Sequence, residues 1–520
     1  MFPIRQLGAE GRIMYKEIIV VVNILIVLRA VLAPIYTYLR DPRGLKRFPG
    51  VSVSPLTDLW GLWKQYLRTR TVAVRKAHLK YGSIVRVGPS HVSFSTAEAI
   101  RDIYGHGTPA LKDDFYQTFN STHLNVSDAQ DRDIHSIKRK RFAIAFSQKR
   151  IVELEPVVQD HLQRVFRILD SSKGEEVDMK QIMVHLMYNL IFVTFFHHDP
   201  HFIERGSTSV TIKTPSGSPY KGEIHHLLTS ALHISTSLGW APKLRAMLKH
   251  LTCWHSGWKH GTQLQHVTTH FVRERVNMDI ERVDAGLPPL DDLMTTLLWD
   301  RNREHPLCLE LGELVTEAQN LFSAAGGNTE IALTNIVWYL ASNPHVVRRL
   351  RAELADALPP HNDSSNPISY DLVKNLPYLR ACIDEGLRLR PSIPGGLPRV
   401  VPKGGMRVSG EWLDEGTTVS VSTYTVHRDP DIFGTDSERY IPERWLQPGS
   451  RDMQRGFLAF SQGGRGCLGR NVAYFQMQLI IAALVWRYDL TLREEGWVLE
   501  TMETFSAHTG SLPVVVTRRE

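Results

Sequence analysis

The chain contains 520 residues, of which 42% are hydrophobic and 22% are charged, and its formal net charge at pH 7 is +7. This composition excludes a wholly disordered chain, and the mild positive charge without a dense Lys/Arg tract suits an anionic membrane surface or an acidic protein partner and argues against nucleic-acid binding. Four scattered cysteines exclude a dense disulfide framework and a Cys-x-x-Cys zinc site, and they indicate a reducing compartment.

The N-terminal region predicts a membrane anchor. The stretch from Ile18 to Leu39 is mostly apolar and is about as long as a bilayer-spanning helix. Asn23 and Arg29 interrupt it, so an interfacial amphipathic helix and a core helix remain alternatives. Four Lys/Arg residues follow the stretch closely and three precede it. Because positively charged flanks tend to stay in the cytosol, this count slightly favours a cytosolic location for the rest of the chain. We therefore expect a tail and anchor helix in residues 1–40 and one folded domain in residues 41–520.

The remainder of the chain predicts a mainly α-helical domain with small β-sheets, an α+β fold. Residues 83–95 alternate apolar and polar side chains around a Gly-Pro turn and predict a β-hairpin. Residues 206–222 predict a loop, and residues 392–425 predict short strands. Helical spacing of apolar residues predicts helices over 151–169, 179–196, 311–341, 378–389 and 471–486.

The strongest chemical signal is a lone cysteine among four glycines, in the segment Phe460-Ser-Gln-Gly-Gly-Arg465-Gly-Cys467-Leu-Gly. Glycines allow the backbone to turn tightly and a flat ligand to approach it. A helix is predicted directly afterwards, and the dipoles at its N-terminus are expected to lower the pKa of the thiol towards the metal-binding thiolate. Arg465 offers a cation for a nearby carboxylate. The alternative is a glycine-rich turn that carries a structural cysteine.

This segment resembles the heme-binding loop of the cytochrome P-450 family, F-x-x-G-x-R-x-C-x-G, at every fixed position. The resemblance implies the cytochrome P-450 fold and a heme b (iron protoporphyrin IX) whose iron is ligated by Cys467. It also implies that Phe460 and Arg465 belong to the cofactor-binding loop. It covers most of the chain after the anchor and is closest to fungal microsomal members, including benzoate-hydroxylase-like enzymes.

A Glu-Arg-Arg cluster is expected behind this loop. Glu385 and Arg388 lie three residues apart on a predicted helix, and Arg444 lies in a Pro-Glu-Arg-Trp segment that resembles the family pattern. Buried charges are tolerated only when they are paired, so loss of one member should be severe.

Three further residues match family positions that contact the heme propionates. His135 and Arg139 lie on one face of a predicted helix, and Arg399 lies on a predicted strand. For the helix, the alternative is that residues 138–141 form a solvated basic face that contacts a redox partner. Both interpretations are compatible, because propionate binding requires only the inward-facing residues.

The long predicted helix carries the segment Ala-Ala-Gly-Gly-Asn328-Thr329. Thr329 matches the hydroxyl residue that, in the family, helps to deliver protons to iron-bound dioxygen. The position before it is usually Asp or Glu, but this chain has Asn328, which cannot relay a proton as a carboxylate does. Glu330 is no simple substitute, because it lies about 200° round the helix from residue 328. Proton delivery then uses water and Thr329 alone, or the enzyme does not perform ordinary oxygen activation.

The resemblance thus predicts a monooxygenase that inserts one oxygen atom into a small, largely apolar substrate, plausibly in fungal secondary metabolism. Electrons would come from NADPH through cytochrome P-450 reductase, with cytochrome b5 as a second candidate partner. The enzyme would sit in the endoplasmic reticulum membrane as a single-pass protein that faces the cytosol. The alternatives are a heme-dependent isomerase, dehydratase or coupling enzyme, and a non-enzymatic heme-binding membrane protein. Residues 108–123, 227–247 and 504–512 are expected to shape the substrate pocket together with the long helix.

Overall fold

The structure is a computed structural model that describes residues 32–213, 217, 219–299, 306–307, 309–359 and 367–519. Helices account for most of its regular structure. Short 3₁₀ turns cover Leu45–Arg47, Asp114–Phe119, Pro442–Leu446 and Gly463–Arg465. The α-helices are α1 (32–40), α2 (Leu59–Tyr66), α3 (Arg70–Tyr81), α4 (Ala97–Tyr104), α5 (Arg132–Ala145), α6 (Gln148–Glu153), α7 (Glu155–Ser171), α8 (Met179–Phe196), α9 (Phe202–Arg205), α10 (Ile224–Gly239), α11 (Arg245–Leu251), α12 (Ser256–Asp284), α13 (Thr295–Leu298), α14 (Leu311–Leu321), α15 (Asn328–Ser342), α16 (Pro344–Ala357), α17 (Tyr370–Val373), α18 (Pro377–Leu389), α19 (Thr423–Val426), α20 (Pro430–Phe433), α21 (Ser450–Gly456) and α22 (Arg470–Arg487).

The strands form small sheets at the edges of the helical body. They are β1 (Ile84–Arg86), β2 (His91–Phe94), β3 (Leu111–Lys112), β4 (Glu176–Asp178), β5 (Ser209–Lys213), β6 (Pro219–Glu223), β7 (Arg399–Val400), β8 (Met406–Val408), β9 (Glu411–Leu413), β10 (Thr418–Val421), β11 (Tyr488–Leu492), β12 (Thr501–Glu503), β13 (Ala507–Thr509) and β14 (Pro513–Arg518). The five-stranded sheet has the order β1-β2-β10-β7-β3, in which only the β2–β10 pair is parallel. The three-stranded sheet has the order β11-β14-β4, and β12–β13, β5–β6 and β8–β9 are antiparallel hairpins. The predicted mainly helical fold with small sheets is confirmed.

Helix α8 lies at the centre of the packing. Its side chains contribute to a cluster with α7, α15, α16, α18 and α22 and to a second cluster with α10, α12 and α14. Among the described residues, α8 is the one helix long and apolar enough to cross a membrane, but 78% of its apolar window is buried. This burial explains its continuous apolar sequence, because a helix covered on all sides has no polar face.

Most of the predicted anchor, residues 18–31, lies outside the described residues. The described end, α1, is helical and carries the exposed apolar side chains Leu32, Ile35, Tyr36 and Leu39.

Two predicted boundaries are wrong. Residues 206–222 contain the hairpin β5–β6 where a loop was expected, because the alternation in β5 buries Val210 and Ile212 while its neighbours face outwards. The single helix expected over 151–169 is divided at Leu154 into α6 and α7, and Pro156 lies in the first turn of α7, where its missing N–H costs nothing.

The long helix predicted over 311–341 runs from α14 to α15 through a six-residue π-helical segment, Phe322–Gly327. Gly326 lies in this segment against α8, and a Cβ atom there would come within 2.9 Å of Ile191 and 3.3 Å of Tyr188. The glycine therefore permits close helix packing, and π-helical segments are frequent at functional sites.

Candidate functional site

The cysteine-containing loop is a tight turn between α21 and α22. The Cys467 N–H donates to the Phe460 carbonyl at 2.9 Å, and the Gly466 N–H donates to the Gly463 carbonyl at 3.0 Å. Gly463 has a φ of +68°, and a Cβ atom at this position would overlap the Tyr104 carbonyl oxygen. Glycine is thus required at 463 both by the left-handed backbone and by the close approach of α4.

Cys467 combines an accessible side chain with a dense protein environment. Its thiol is free and exposed. Burial by the surrounding protein nevertheless raises the pKa of this thiol, against the lowering effect of the Gly469 and Arg470 N–H groups and of the nearby Arg139 and Arg470 charges. The net direction is opposite to the expected one, because desolvation outweighs the helix N-terminus. The raised pKa does not prevent this sulfur from binding a metal ion, because coordination itself deprotonates the thiol.

A cluster of cations lies beside the loop. Arg465 donates to the Ala129 and Gln130 carbonyls at 2.6 and 2.7 Å. Arg399 donates to the Tyr116 hydroxyl at 2.9 Å. Burial, together with the charges of Arg465, Lys112, Arg139 and Arg399, lowers the pKa of His135 to about 4. The structure therefore brings His135, Arg399 and Arg465 together, as the sequence predicted.

Lys112 of β3 belongs to the same cluster and was missed by the sequence analysis. It is 8% exposed, and burial together with the charges of Arg399 and Arg465 holds its pKa well below its ordinary value. Asp113 and Asp128 are nearby carboxylates, but burial raises the pKa of each, for Asp128 to about 7. The strand is only two residues long, so its sequence has no alternation that would predict the burial of this lysine.

Two other basic side chains of α5 contact different parts of the protein. Arg139 donates to the Gly466 carbonyl at 2.8 Å, next to Cys467, so it supports the cysteine loop directly. Lys138 is 7% exposed and pairs with Glu313 and Glu317 of α14 at 2.6 and 3.1 Å. The proposed solvated basic face over residues 138–141 is therefore wrong at Lys138, because that side chain faces the interior.

The Glu-Arg-Arg cluster is confirmed. Arg388 binds Glu385 through two hydrogen bonds of 2.8 Å, and Arg444 Nε donates to Glu385 Oε1 at 2.9 Å. Arg388 also donates to the carbonyl of His427, whose Nε2 accepts the Leu458 N–H at 2.7 Å. Burial lowers the pKa of His427 to about 3, so the ring is neutral and available as an acceptor. The cluster is thus connected to the start of the cysteine loop.

Thr329 and Asn328 follow the π-helical segment directly. Thr329 is 6% exposed. The side-chain oxygen of Asn328 accepts the Ser506 hydroxyl at 2.9 Å, and its carbonyl accepts the Ser392 hydroxyl at 2.7 Å. Asn328 therefore ties α15 to the β12–β13 hairpin.

The stretches predicted to shape the pocket meet in a group of aromatic rings. The Phe115 ring lies 4.5 Å from that of Trp240 and 6.3 Å from that of Phe505, and Phe119 lies 5.2 Å from Phe505. These residues come from three of the predicted stretches. The Arg70 guanidinium lies 3.4 Å from the centre of the Trp240 ring.

Comparison with known proteins decides the family. A sequence model of cytochrome P450 matches residues 53–517. The chain belongs to the cytochrome P450 family. It is 29% identical to benzoate 4-monooxygenase of Aspergillus niger over 92% of this chain and 93% of that protein. It is 30% identical to a cytochrome P450 monooxygenase of Alternaria alternata, over 87% and 90% of the two chains. Pisatin demethylase of Fusarium vanettenii is 26% identical over 86% and 81%.

Membership of the cytochrome P450 family implies a heme and electrons from a partner reductase, and it makes the chain an oxidoreductase of the heme-thiolate monooxygenase class. The described residues fit such a group. One accessible sulfur lies at the N-terminus of α22, and the cations of the adjacent cluster are suited to the two carboxylates that a heme carries.

Proposed function

We propose that this cytochrome P450 is a membrane-anchored monooxygenase that binds heme b through Cys467 and hydroxylates a small, largely apolar substrate. The observation that carries the proposal is the accessible Cys467 thiol beside the cation cluster, in which Arg399 and Arg465 supply charge and His135 and Lys112 supply further N–H donors. Heme b supplies dioxygen activation and oxygen insertion, with the thiolate favouring cleavage of the O–O bond.

The residues of the loop have separate tasks in this proposal. Cys467 holds the iron, and the backbone N–H groups of Gly469 and Arg470 stabilise its thiolate form. Arg139 fixes the Gly466 peptide, and Phe460 fixes the Cys467 peptide through its carbonyl. Arg399 and Arg465 would pair with the two heme propionates, and neutral His135 would donate a hydrogen bond, so the buried cations and the propionate carboxylates compensate each other.

We assign proton handling to Thr329 and a positioning role to Asn328. A threonine hydroxyl can both donate and accept a hydrogen bond, so it can pass a proton to or from water. Asn328 cannot relay a proton, and its side-chain oxygen is already engaged by Ser506. Its task in this proposal is to keep the β12–β13 hairpin against α15.

The aromatic rings support an aromatic substrate that carries an acidic group. Phe115, Phe119, Trp240 and Phe505 offer flat apolar surfaces at contact distance from one another. Arg70 beside Trp240 is 3% exposed, and the charge of the buried Glu503 acts on it, but its Nε has no hydrogen-bond partner among the described residues. A carboxylate would pair with this cation, and benzoate 4-monooxygenase, a relative over nearly the full length, is named for an aromatic acid.

The proposed location is the endoplasmic reticulum membrane, with residues 1–40 as tail and anchor and residues 41–520 as the heme domain in the cytosol. The exposed apolar side chains of α1 support this arrangement. The proposed electron donor is NADPH–cytochrome P-450 reductase, with cytochrome b5 as a second donor, and fungal secondary metabolism is the proposed setting.

The experiment compares Cys467→Ala with Cys253→Ala, a control at an exposed free thiol. Purified full-length protein is reduced under carbon monoxide, and its absorption and iron content are measured with turnover of a panel of aromatic acids. We expect the control to retain thiolate-type absorption and Cys467→Ala to lose it together with turnover. Full turnover by Cys467→Ala would overturn the assignment, and turnover without dioxygen and reductase would favour a rearrangement instead.

A further inference from the structure

A second potential ligand site lies inside the protein, on a different face of α15 from Asn328. His225 of α10, Glu330 of α15 and His508 of β13 each offer one ligand atom, and these three atoms lie within 4.8 Å of one another. The Glu330 Oε1 atom lies 3.6 Å from His225 Nε2 and 3.7 Å from His508 Nδ1. These separations are too long for direct hydrogen bonds.

The polar atoms of this cluster lack partners to an unusual degree. Both carboxylate oxygens of Glu330, both ring nitrogens of His508 and Nε2 of His225 are buried without a hydrogen-bond partner among the described residues. Glu330 is 0% exposed and His508 is 3% exposed. A carboxylate that is buried without hydrogen-bond partners is among the most costly groups in a protein, and a bound cation would compensate that cost.

We propose that His225, Glu330 and His508 form a binding site for a zinc ion. Two imidazole nitrogens and one carboxylate oxygen are a frequent zinc donor set, with a solvent molecule in the fourth position. Zinc bonds of about 2.0–2.2 Å in tetrahedral geometry separate the donor atoms by about 3.3–3.6 Å. The two Glu330–histidine separations of 3.6 and 3.7 Å require a contraction of a few tenths of an ångström, and the two histidine nitrogens, which lie within 4.8 Å of each other, must approach to the same range.

One ion would satisfy the unpartnered atoms and join three elements that are far apart in sequence. Helix α10 supplies His225, α15 supplies Glu330, and the β12–β13 hairpin supplies His508. The same hairpin contacts Asn328 through Ser506, so zinc would add a second connection between the hairpin and α15. None of the three ligands is among the residues assigned here to heme binding.

The test measures zinc and iron per chain by plasma mass spectrometry on full-length protein purified without a metal-affinity tag. We expect about one zinc per chain in addition to the heme iron, and saturable uptake of one Zn²⁺ after treatment with a chelator. The variants Glu330→Gln, His225→Gln and His508→Gln should each weaken zinc binding about 100-fold or more, because each removes a direct ligand.

The matched control is His226→Gln. This residue lies next to His225 on α10, but its ring lies 5.0 Å from that of His260 and it is not a member of the cluster. The control should bind zinc like the unaltered protein, and zinc should raise the melting temperature of both. Iron content reports folding of each variant independently of zinc. No saturable zinc uptake by the unaltered holoenzyme would overturn the proposal, as would equal uptake by Glu330→Gln, which preserves the side-chain size.

Discussion

The buried charge cluster behind the cysteine loop gives the sharpest stability prediction. Glu385 is 0% exposed and accepts hydrogen bonds from Arg388, Arg444, Trp445 and the Ile441 N–H, all between 2.8 and 3.0 Å. Glu385→Gln keeps the size of the side chain but removes the counter-charge of the buried Arg388 and one of the two carboxylates that pair with Arg444, which keeps Asp436 at 3.0 Å. Removal of one partner from a buried ion pair costs about 3–5 kcal/mol, so we expect a loss of that order.

The matched control is Glu438→Gln. Glu438 also binds an arginine, Arg428, at 2.9 Å, but its side chain is 58% exposed. Water solvates the Glu438 carboxylate directly, and the buried Arg428 keeps its hydrogen bonds to the Tyr424 and Leu389 carbonyls, so loss of the Glu438 charge should cost about 1 kcal/mol or less. Glu438 also pairs with Arg75, so each variant removes one carboxylate that binds two arginines, and the two carboxylates differ in burial.

The assay follows the loss of thiolate-type absorption as urea is added. With a denaturant slope of about 2–3 kcal/mol per molar, the expected loss lowers the urea midpoint for Glu385→Gln by about 1–2.5 M, and the control lowers it by about 0.5 M or less. Equal midpoints for the two variants would refute the argument that burial sets the cost.

Three further changes test other parts of the site. Gly463→Ala should lower the free energy of unfolding by about 2 kcal/mol or more and reduce heme retention, because it combines a left-handed φ with an overlap on a backbone carbonyl. Gly464→Ala is the control, since no atom lies within 4 Å of the added Cβ, and equal urea midpoints for the two variants would contradict this prediction. Thr329→Ala should yield less product per reducing equivalent consumed, and Thr329→Ser should restore the yield if the hydroxyl is what matters. Burial lowers the pKa of His427 from 6.5 to about 3, so its contribution to stability is complete above pH 6.5 and is lost as the pH falls towards 3. The urea midpoint of the unaltered protein should therefore fall across that pH range, and the midpoint of His427→Gln should fall less.

The fold class and the main site could be predicted because they depend on local patterns. The spacing of apolar residues identified α8, α18 and α22 to within a residue or two, and the cysteine motif identified a loop whose shape is determined by its own glycines. The pairing of Glu385 with Arg388 followed from helical periodicity, since residues three apart share a face.

What the sequence could not predict depends on contacts between distant segments. The membership of Lys112 in the cation cluster arises because β3 pairs with β7, which brings residue 112 opposite residue 399. The burial of Lys138 depends on α14, which supplies Glu313 and Glu317 more than 170 positions later in the chain. The prediction that the Cys467 pKa is lowered was wrong for the same reason. The sequence shows the helix N-terminus, which lowers the pKa, but not the burial, which raises it more.

The tip of the β12–β13 hairpin places two adjacent residues in different parts of the protein. Phe505 joins the aromatic rings of Phe115 and Phe119, while Ser506 holds Asn328 on α15. A single peptide unit therefore belongs to both the proposed substrate wall and the helix that carries Thr329. A substitution at position 505 that changes the substrate would therefore also disturb the helix that carries Thr329. Replacements at this tip should alter both substrate selectivity and the yield of product per reducing equivalent consumed.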